Sequence, residues 1–216
     1  PGNAKFKKLT PVDPNSTNPY QLTEADRTVI GNTTPKFSGG FGLNATYKGF
    51  DMSMFFNFMY DFDVLNANKI MLTTWADNKE NNFLMNIASD KRWRNFDDMG
   101  NEIRYSPEVL AEFNKNATMW NPTSIGRPIC MSYAVEDGSF LRLNSATLGY
   151  TLPSVWTKKV GLSKVRFYVS GNNLFTLTGY SGYDPEVNIA TGLTPNIDYN
   201  RYPRSRTYTF GAQLTF

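Results

Sequence analysis

The last ten residues constrain the fold more than any other stretch. Tyr208, Phe210, Ala212, Leu214 and Phe216 alternate strictly with Thr207, Thr209, Gly211, Gln213 and Thr215. Successive side chains of a strand point to opposite faces. The stretch therefore predicts a strand with one apolar, aromatic-rich face and one small, polar face.

The same alternation recurs upstream. Over 37–48, Phe37, Gly39, Phe41, Leu43, Ala45 and Tyr47 alternate with Ser38, Gly40, Gly42, Asn44, Thr46 and Lys48. Over 50–61, Phe50, Met52, Met54, Phe56, Phe58 and Tyr60 alternate with Asp51, Ser53, Phe55, Asn57, Met59 and Asp61. A two-residue hairpin at Lys48 and Gly49 would pair Tyr47 with Phe50 on one face, where both apolar sets lie. A fourth strand is expected over 139–152 and ends at Pro153. Its Leu141 and Leu143 have the opposite parity to Ala146, Leu148, Tyr150 and Leu152, so a β-bulge is expected near Asn144–Ser145. A fifth strand is expected over 164–179. Val165, Phe167, Val169, Phe175 and Leu177 fall on one parity, and Arg166, Tyr168, Ser170, Asn172, Thr176 and Thr178 on the other.

Short and long connections alternate between these strands: two residues (48–49), about 77 (62–138), about 11 (153–163) and about 25 (180–204). Short turns on one side and long loops on the other are the habit of outer-membrane barrels. A twelve-residue strand extends roughly 40 Å, or about 30 Å after tilting, enough for an apolar band of roughly 25 Å. No apolar run approaches the roughly 20 residues of a membrane helix, and the mean hydropathy is −0.43. Alternating strands hide their hydrophobicity from such an average. A soluble β-sandwich, whose apolar faces meet, remains the alternative reading of the pattern.

Composition narrows the chemistry. The 216 residues include no histidine and one cysteine, Cys130, so a Ser-His triad, an internal disulfide and a cysteine metal cluster are all excluded within this chain. The net charge of +3 is dispersed, without the clustered basic footprint of a nucleic-acid binder. Pro1 follows no basic-then-apolar leader and reads as an internal start.

Several motifs, taken together, resemble one family. They are DRTVIGNTTPKFSGGFG at 26–42, the YKGFD hairpin at 47–51, VEDGSFLRLNSATLGY at 135–150 with the TLPSVWTKKVGLSKVRFYVSGNNLFTLTGYSGYDPEV that follows, and the closing RYPRSRTYTFGAQLTF. In order and spacing they resemble the C-terminal part of the SusC/RagA family of TonB-linked outer-membrane transporters of Bacteroidota, over roughly 24–66 and 121–216. The resemblance implies an all-β fold: a transmembrane antiparallel barrel of 22 strands closed around a plug, of which this chain supplies about the last five. On this reading 1–36 is an extracellular loop, 37–61 a barrel hairpin, 62–138 a long extracellular loop, and 139–216 the last three strands with one extracellular loop at 180–204. The family implies import of oligosaccharides or peptides, a SusD-like surface lipoprotein as lid, and energy from the TonB complex through an N-terminal part absent here. It also implies outer-membrane lipid around the wall and recognition by the barrel-assembly machinery. No catalytic residue, cofactor or nucleic-acid partner is expected. The alternative is a soluble β-rich carbohydrate-binding module using loop aromatics.

The candidates for substrate or lid contact are Trp75, Trp93 and Trp120, whose rings suit sugars or interfaces or else pack within their loop, and Tyr183, Asp184 and Glu186. The Asp-Pro step at Asp184–Pro185 reads equally as a turn that braces the rim. Tyr208, Phe210, Leu214 and Phe216 are the expected barrel-assembly signal, and equally suit lipid-facing aromatics. Asp97, Asp98 and Glu102 lack any feature that would hold two carboxyls across a glycosidic bond. Calcium at Asp13, Asn15, Glu24 and Asp26 is disfavoured, because no glycine stands at the sharp turn an EF-hand-type loop requires. Arg142 and Arg166 are expected on the lumenal or interfacial side, since a charge on a lipid face costs about 2–4 kcal/mol near the midplane.

Overall fold

The computed structural model describes residues 2–12, 14–15, 17–74, 83–87, 91–124, 129–187 and 195–216. The chain divides into two compact units. One comprises Gly31–Leu65 with Val135–Phe216, and the other Pro1–Ile30 with Asn66–Ala134.

The first unit is built on strands. In chain order they are β1 (Phe37–Tyr47), β2 (Phe50–Tyr60), β3 (Asp63–Asn66), β4 (Val135–Asp137), β5 (Phe140–Thr151), β6 (Lys164–Thr178), β7 (Ile197–Asp198) and β8 (Thr207–Thr215). Five of them form an antiparallel sheet in the order β1-β2-β5-β6-β8. The β1–β2 hairpin has the expected register, with Tyr47 opposite Phe50. Lys48 and Gly49 both take positive φ, 46° and 86°, the backbone of a type I′ turn whose twist matches the strands it joins.

The bulge also lies where the parity break requires it. Pairing of β5 with β2 and β6 shifts between Leu143 and Ser145, which leaves Asn144 out of the ladder. That one extra residue moves Leu141 and Leu143 onto the face of Ala146, Leu148 and Tyr150. On β6 the slack is taken up at Asn173 and Leu174, with Asn173 in the left-handed region at φ 54°.

The five strands consequently share two continuous faces. The apolar face carries Phe41 and Leu43 of β1, Met54 and Phe56 of β2, Leu143 and Leu148 of β5, Phe167 and Phe175 of β6, and Phe210 and Leu214 of β8. Aromatic pairs cross its strands: Phe41 on Phe56 at 4.9 Å, Phe50 on Tyr150 at 4.5 Å and Phe37 on Tyr60 at 6.5 Å between ring centroids. Each such pair contributes about 0.2–1 kcal/mol. This face is open to its surroundings, with Phe210 79% and Leu148 48% exposed. A sandwich would cover these side chains with a second apolar face. The other face carries Asn44, Asp51, Ser53, Asn57, Arg142, Thr147, Arg166, Ser170, Thr209 and Gln213.

The connections sort by end. The 48–49 turn, the 152–163 connection and Phe216 lie at one end, where the Ser163 amide donates to the Thr215 carbonyl. At the other end, the two long connections meet in a small sheet of order β4-β3-β7, so they are not structureless. There Phe62, Val64, Phe140, Tyr180 and Val187 form a buried cluster. Gly138 runs against the Phe62 and Val64 side chains, where a Cβ would lie 2.6 Å from either.

Among its described residues the second unit has two short α-helices, α1 (Ala67–Met71) and α2 (Pro107–Phe113). A third, α3 (Ser154–Thr157), belongs to the first unit. The Asn66 side chain caps α1 by accepting from the Lys69 amide. No helix among the described residues is long and apolar enough to cross a membrane.

Candidate functional site

The polar face of the five-stranded sheet holds two ion-paired arginines, one near each end. Near the turn end, Arg166 on β6 reaches across β5 to Asp51 on β2, with Nε 2.9 Å from Oδ1 and Nη2 on Oδ2. Gly149 on β5 lies directly beneath. A Cβ there would sit 2.4 Å from Arg166 Nη2 and 2.6 Å from Asp51 Oδ1, so the bridge depends on a residue without a side chain. Arg166 also stacks against Tyr168, whose ring lies over Gly211 of β8.

Near the loop end, Arg142 on β5 is 1% exposed. Its Nη2 donates to Asp184 Oδ1 at 2.5 Å and its Nη1 to Asp184 Oδ2 at 3.2 Å. Nη1 also donates to Asn173 Oδ1 at 2.7 Å, and Glu186 Oε2 lies 3.7 Å from Nη2. Asp184 Oδ1 accepts the Glu186 amide at 2.9 Å, the Asx turn that Asp-Pro favours. Glu186 Oε1 takes Arg204 at 2.8 Å. Asn173 Nδ2 donates to the carbonyls of Arg204 at 3.0 Å and Ser205 at 3.3 Å. Asn173 and Arg142 thus hold both arms of the 179–206 connection to the wall.

Around this base the rim is closely hydrogen-bonded. Ser139 donates to Asp137 through Oγ at 2.5 Å and accepts the Asp61 amide at 2.9 Å. Lys36 pairs with Asp61. Glu136 accepts the Ser181 amide at 2.9 Å and its hydroxyl at 2.8 Å. Tyr180, 6% exposed, donates to Asp198 at 2.7 Å. Burial first, then this carboxylate, raises the Tyr180 phenol well above its ordinary value.

The candidate contact residues fall into three groups. Tyr183 is 83% exposed at the tip of its turn. Asp184 and Glu186 are engaged by Arg142 and Arg204 and form the base of the loop. Trp93 and Trp120 pack within the second unit. A Cβ on Gly2 would lie 2.4 Å from the Trp93 ring, so the chain passes directly over that indole. Trp120 Nε1 donates to the Thr73 carbonyl at 3.0 Å, and its ring meets Tyr133 edge-on at 4.9 Å. Trp75 lies outside the described residues, as does Asp13. Tyr208, Phe210 and Leu214 line the apolar face of β8, and Phe216 is 88% exposed just beyond it.

The loop carboxylates also have local partners. Asp97 accepts the Met99 and Asn101 amides at 2.9 and 2.8 Å and the Asn101 side chain at 2.9 Å, which lowers its pKa. Asp98 pairs with Arg94 at 2.6 Å, and Glu102 with Arg104. Asp26 accepts the amides of Leu9, Thr10 and Thr23 at 2.9, 2.7 and 2.8 Å, and these donors hold its carboxyl far below the usual range. No cluster of three or more potential metal ligands occurs among the described residues.

Sequence reasoning placed Arg142 and Arg166 on a common side but missed their partners. The signals were a glycine facing Asp51 across the ladder, and two carboxylates flanking Pro185 in the second connection after Arg142.

A sheet with one exposed apolar face, one polar face holding buried charge, and loops sorted by length is a section of transmembrane antiparallel β-barrel. It does not close: β1 and β8 remain its two edges. Proteins of this kind to which the chain is similar are TonB-dependent receptors. It is 35% identical over 202 residues to TonB-dependent receptor P3 of Formosa agariphila, covering 91% of this chain and 18% of that protein. It is 38% identical over 88 residues to TonB-dependent receptor SusC of Bacteroides thetaiotaomicron, covering 39% of this chain and 8% of that one. The chain thus spans less than a fifth of the length of these curated relatives. Among solved structures it superimposes on the RagAB peptide transporter with a TM-score of 0.63 and 26% identity, covering 85% of this chain and 17% of that one. A RagAB peptide importer in a closed-closed state gives 0.60 and 25%, covering 91% and 19%. No protein-family model matches the sequence. In both sequence and fold the chain resembles the SusC/RagA-type TonB-dependent transporters.

Proposed function

We propose that this chain forms the last strands of the barrel wall in an outer-membrane TonB-dependent importer of oligosaccharides or peptides. The observation that carries the reading is the division of the sheet. Every one of the five strands exposes large apolar side chains on one face, Leu43, Phe50, Leu148, Phe167 and Phe210 among them, while Arg142 and Arg166 lie on the opposite face. In a membrane the apolar face meets lipid and the arginines line the lumen, where their charge escapes the cost of a hydrocarbon setting. The two open edges support the same reading, because unpaired backbone groups are not tolerated in lipid and must be closed by neighbouring strands.

On this reading the 48–49 turn and Phe216 face the periplasm, and the long connections face outwards. Arg142 braces the outer rim. Exposed Tyr183 and the outward loops meet cargo or a SusD-like lipoprotein lid. Energy coupling to TonB belongs to a plug carried elsewhere in the transporter. Tyr208, Phe210, Leu214 and Phe216 serve as the signal read by the barrel-assembly machinery.

Fractionation tests the reading. The intact protein should sediment with the outer membrane, leave it only in detergent, and change mobility on a gel when boiled. A freely soluble, monomeric protein contradicts it. Co-purification of a surface lipoprotein, with ligand trapped beneath it, would identify lid and cargo. Removing Phe216 should reduce the folded, heat-modifiable band. Unchanged assembly would remove the signal role.

A further inference from the structure

We infer that the connection between β5 and β6 is a membrane anchor, which seats Val155, Trp156 and Val160 at the headgroup–acyl boundary of the phospholipid leaflet at the turn end. The inference rests on the proposed membrane-spanning wall and adds a lipid contact outside its strands.

The observation that prompts it is the burial of one wall residue. Val165 lies on the apolar face, opposite Leu214 and in line with Phe167. Leu214 and Phe167 are each 51% exposed, yet Val165 is 5% exposed. Phe167 lies on the same strand as Val165, between the same two neighbours β5 and β8, so the difference between them is not made by the strands; α3 packs against β6 and supplies the additional cover. The connection therefore folds over the apolar side of the wall. Its inward residue is Thr157, 2% exposed, whose hydroxyl is turned back onto the Ser154 carbonyl at 3.3 Å. The Leu162 amide donates to the Thr157 carbonyl at 3.1 Å, and Gly161 takes φ 75°, which closes the turn.

What points outwards is apolar. Val155, Trp156 and Val160 are 68%, 60% and 70% exposed, with Lys158 and Lys159 exposed between them. In water these side chains gain nothing from such exposure. At a bilayer surface the valines enter the acyl boundary, the indole sits at headgroup level and the lysines extend to phosphates. The patch continues the apolar face at the end where Tyr47, Phe50 and Tyr150 already form an aromatic border. The cationic pair matches the anionic charge of phospholipid headgroups.

Spin labelling of the full-length transporter in phospholipid vesicles tests this, with native cysteines replaced by serine. Labels are placed singly by Trp156→Cys, by Met54→Cys at mid-wall on the apolar face, and by Ser163→Cys on the exposed turn. Collisions with oxygen and with a water-soluble nickel chelate report depth. The 156 label should show a nickel collision rate several-fold below that at 163, and a depth shallower than that at 54. Nickel access at 156 equal to that at 163, with the 54 label still buried in lipid, overturns the anchor and leaves the wall standing. Nickel access at all three overturns the wall and the anchor together. If the 156 variant does not assemble, Val160→Cys carries the same readings.

Discussion

The two arginine bridges on the polar face do different work. Arg166 joins β6 to β2 across Gly149 and is wholly internal to the sheet, so it fixes strand against strand. Arg142 is the more deeply buried, and its carboxylate partners come from a connection rather than a strand, so it fixes loop against wall. The turn end of this barrel section is thus stapled within itself, whereas the loop end has a buried cation onto which a long loop is fastened. A transporter needs both: a wall that keeps its register, and outward loops held in place at their base while their tips remain free.

Breaking the loop-end bridge should cost most. Arg142→Ala leaves Asp184 and Glu186 without their buried cation, and removing one partner of a buried pair costs about 3–5 kcal/mol. The urea midpoint of the protein folded in detergent should fall accordingly, and protease should cut within 179–206. A midpoint unchanged from wild type would show that the loop is held by other contacts. The turn-end bridge should be less sensitive. Gly149→Val pushes the Arg166 and Asp51 side chains apart, and since both are partly accessible to solvent they can rehydrate. The expected result is a lower melting temperature with the 179–206 loop still protected.

Alkali should distinguish the two ends in a third way. The raised phenol of Tyr180 stabilises the fold fully below about pH 10, the ordinary tyrosine value, and that contribution is lost as pH rises from there towards the higher folded value. Loop protection should therefore decline above about pH 10 before the wall unfolds, and Tyr180→Phe should remove the response. The smallest effect on stability is expected at Tyr183. Tyr183→Ala should change the midpoint by no more than about 0.5 kcal/mol, as for an exposed surface position. Any loss should instead appear in cargo uptake or lid binding.

The wall was legible in the sequence because its rule is local. Alternation fixed which residues share a face, Lys48–Gly49 fixed the hairpin, and the parity break after Leu143 placed the bulge near Asn144–Ser145, where the register shifts. The bridges obey no local rule. Arg142 and Asp184 are 42 residues apart, and Arg166 and Asp51 are 115 apart. Each pair meets only because intervening strands lie side by side in one register. The loop tryptophans were ambiguous for a related reason: an aromatic ring in a long connection has the same sequence signature whether it packs or binds. Trp93 packs under Gly2, and Trp120 against Tyr133 and the Thr73 carbonyl, contacts that no local sequence rule foretells.

The central claim is that one face of the sheet meets lipid and the other does not, with the faces exchanging parity at Asn144. Spin labels along β5 in the reconstituted full-length protein test it most directly. Labels at Leu141, Leu143, Ala146 and Leu148 should be reached by oxygen and shielded from the nickel chelate, while labels at Ser145 and Thr147 should show the reverse. The switch from odd to even positions at Asn144 is the specific prediction. Parity running unbroken through Asn144, or equal access of the chelate to every position, would contradict the account.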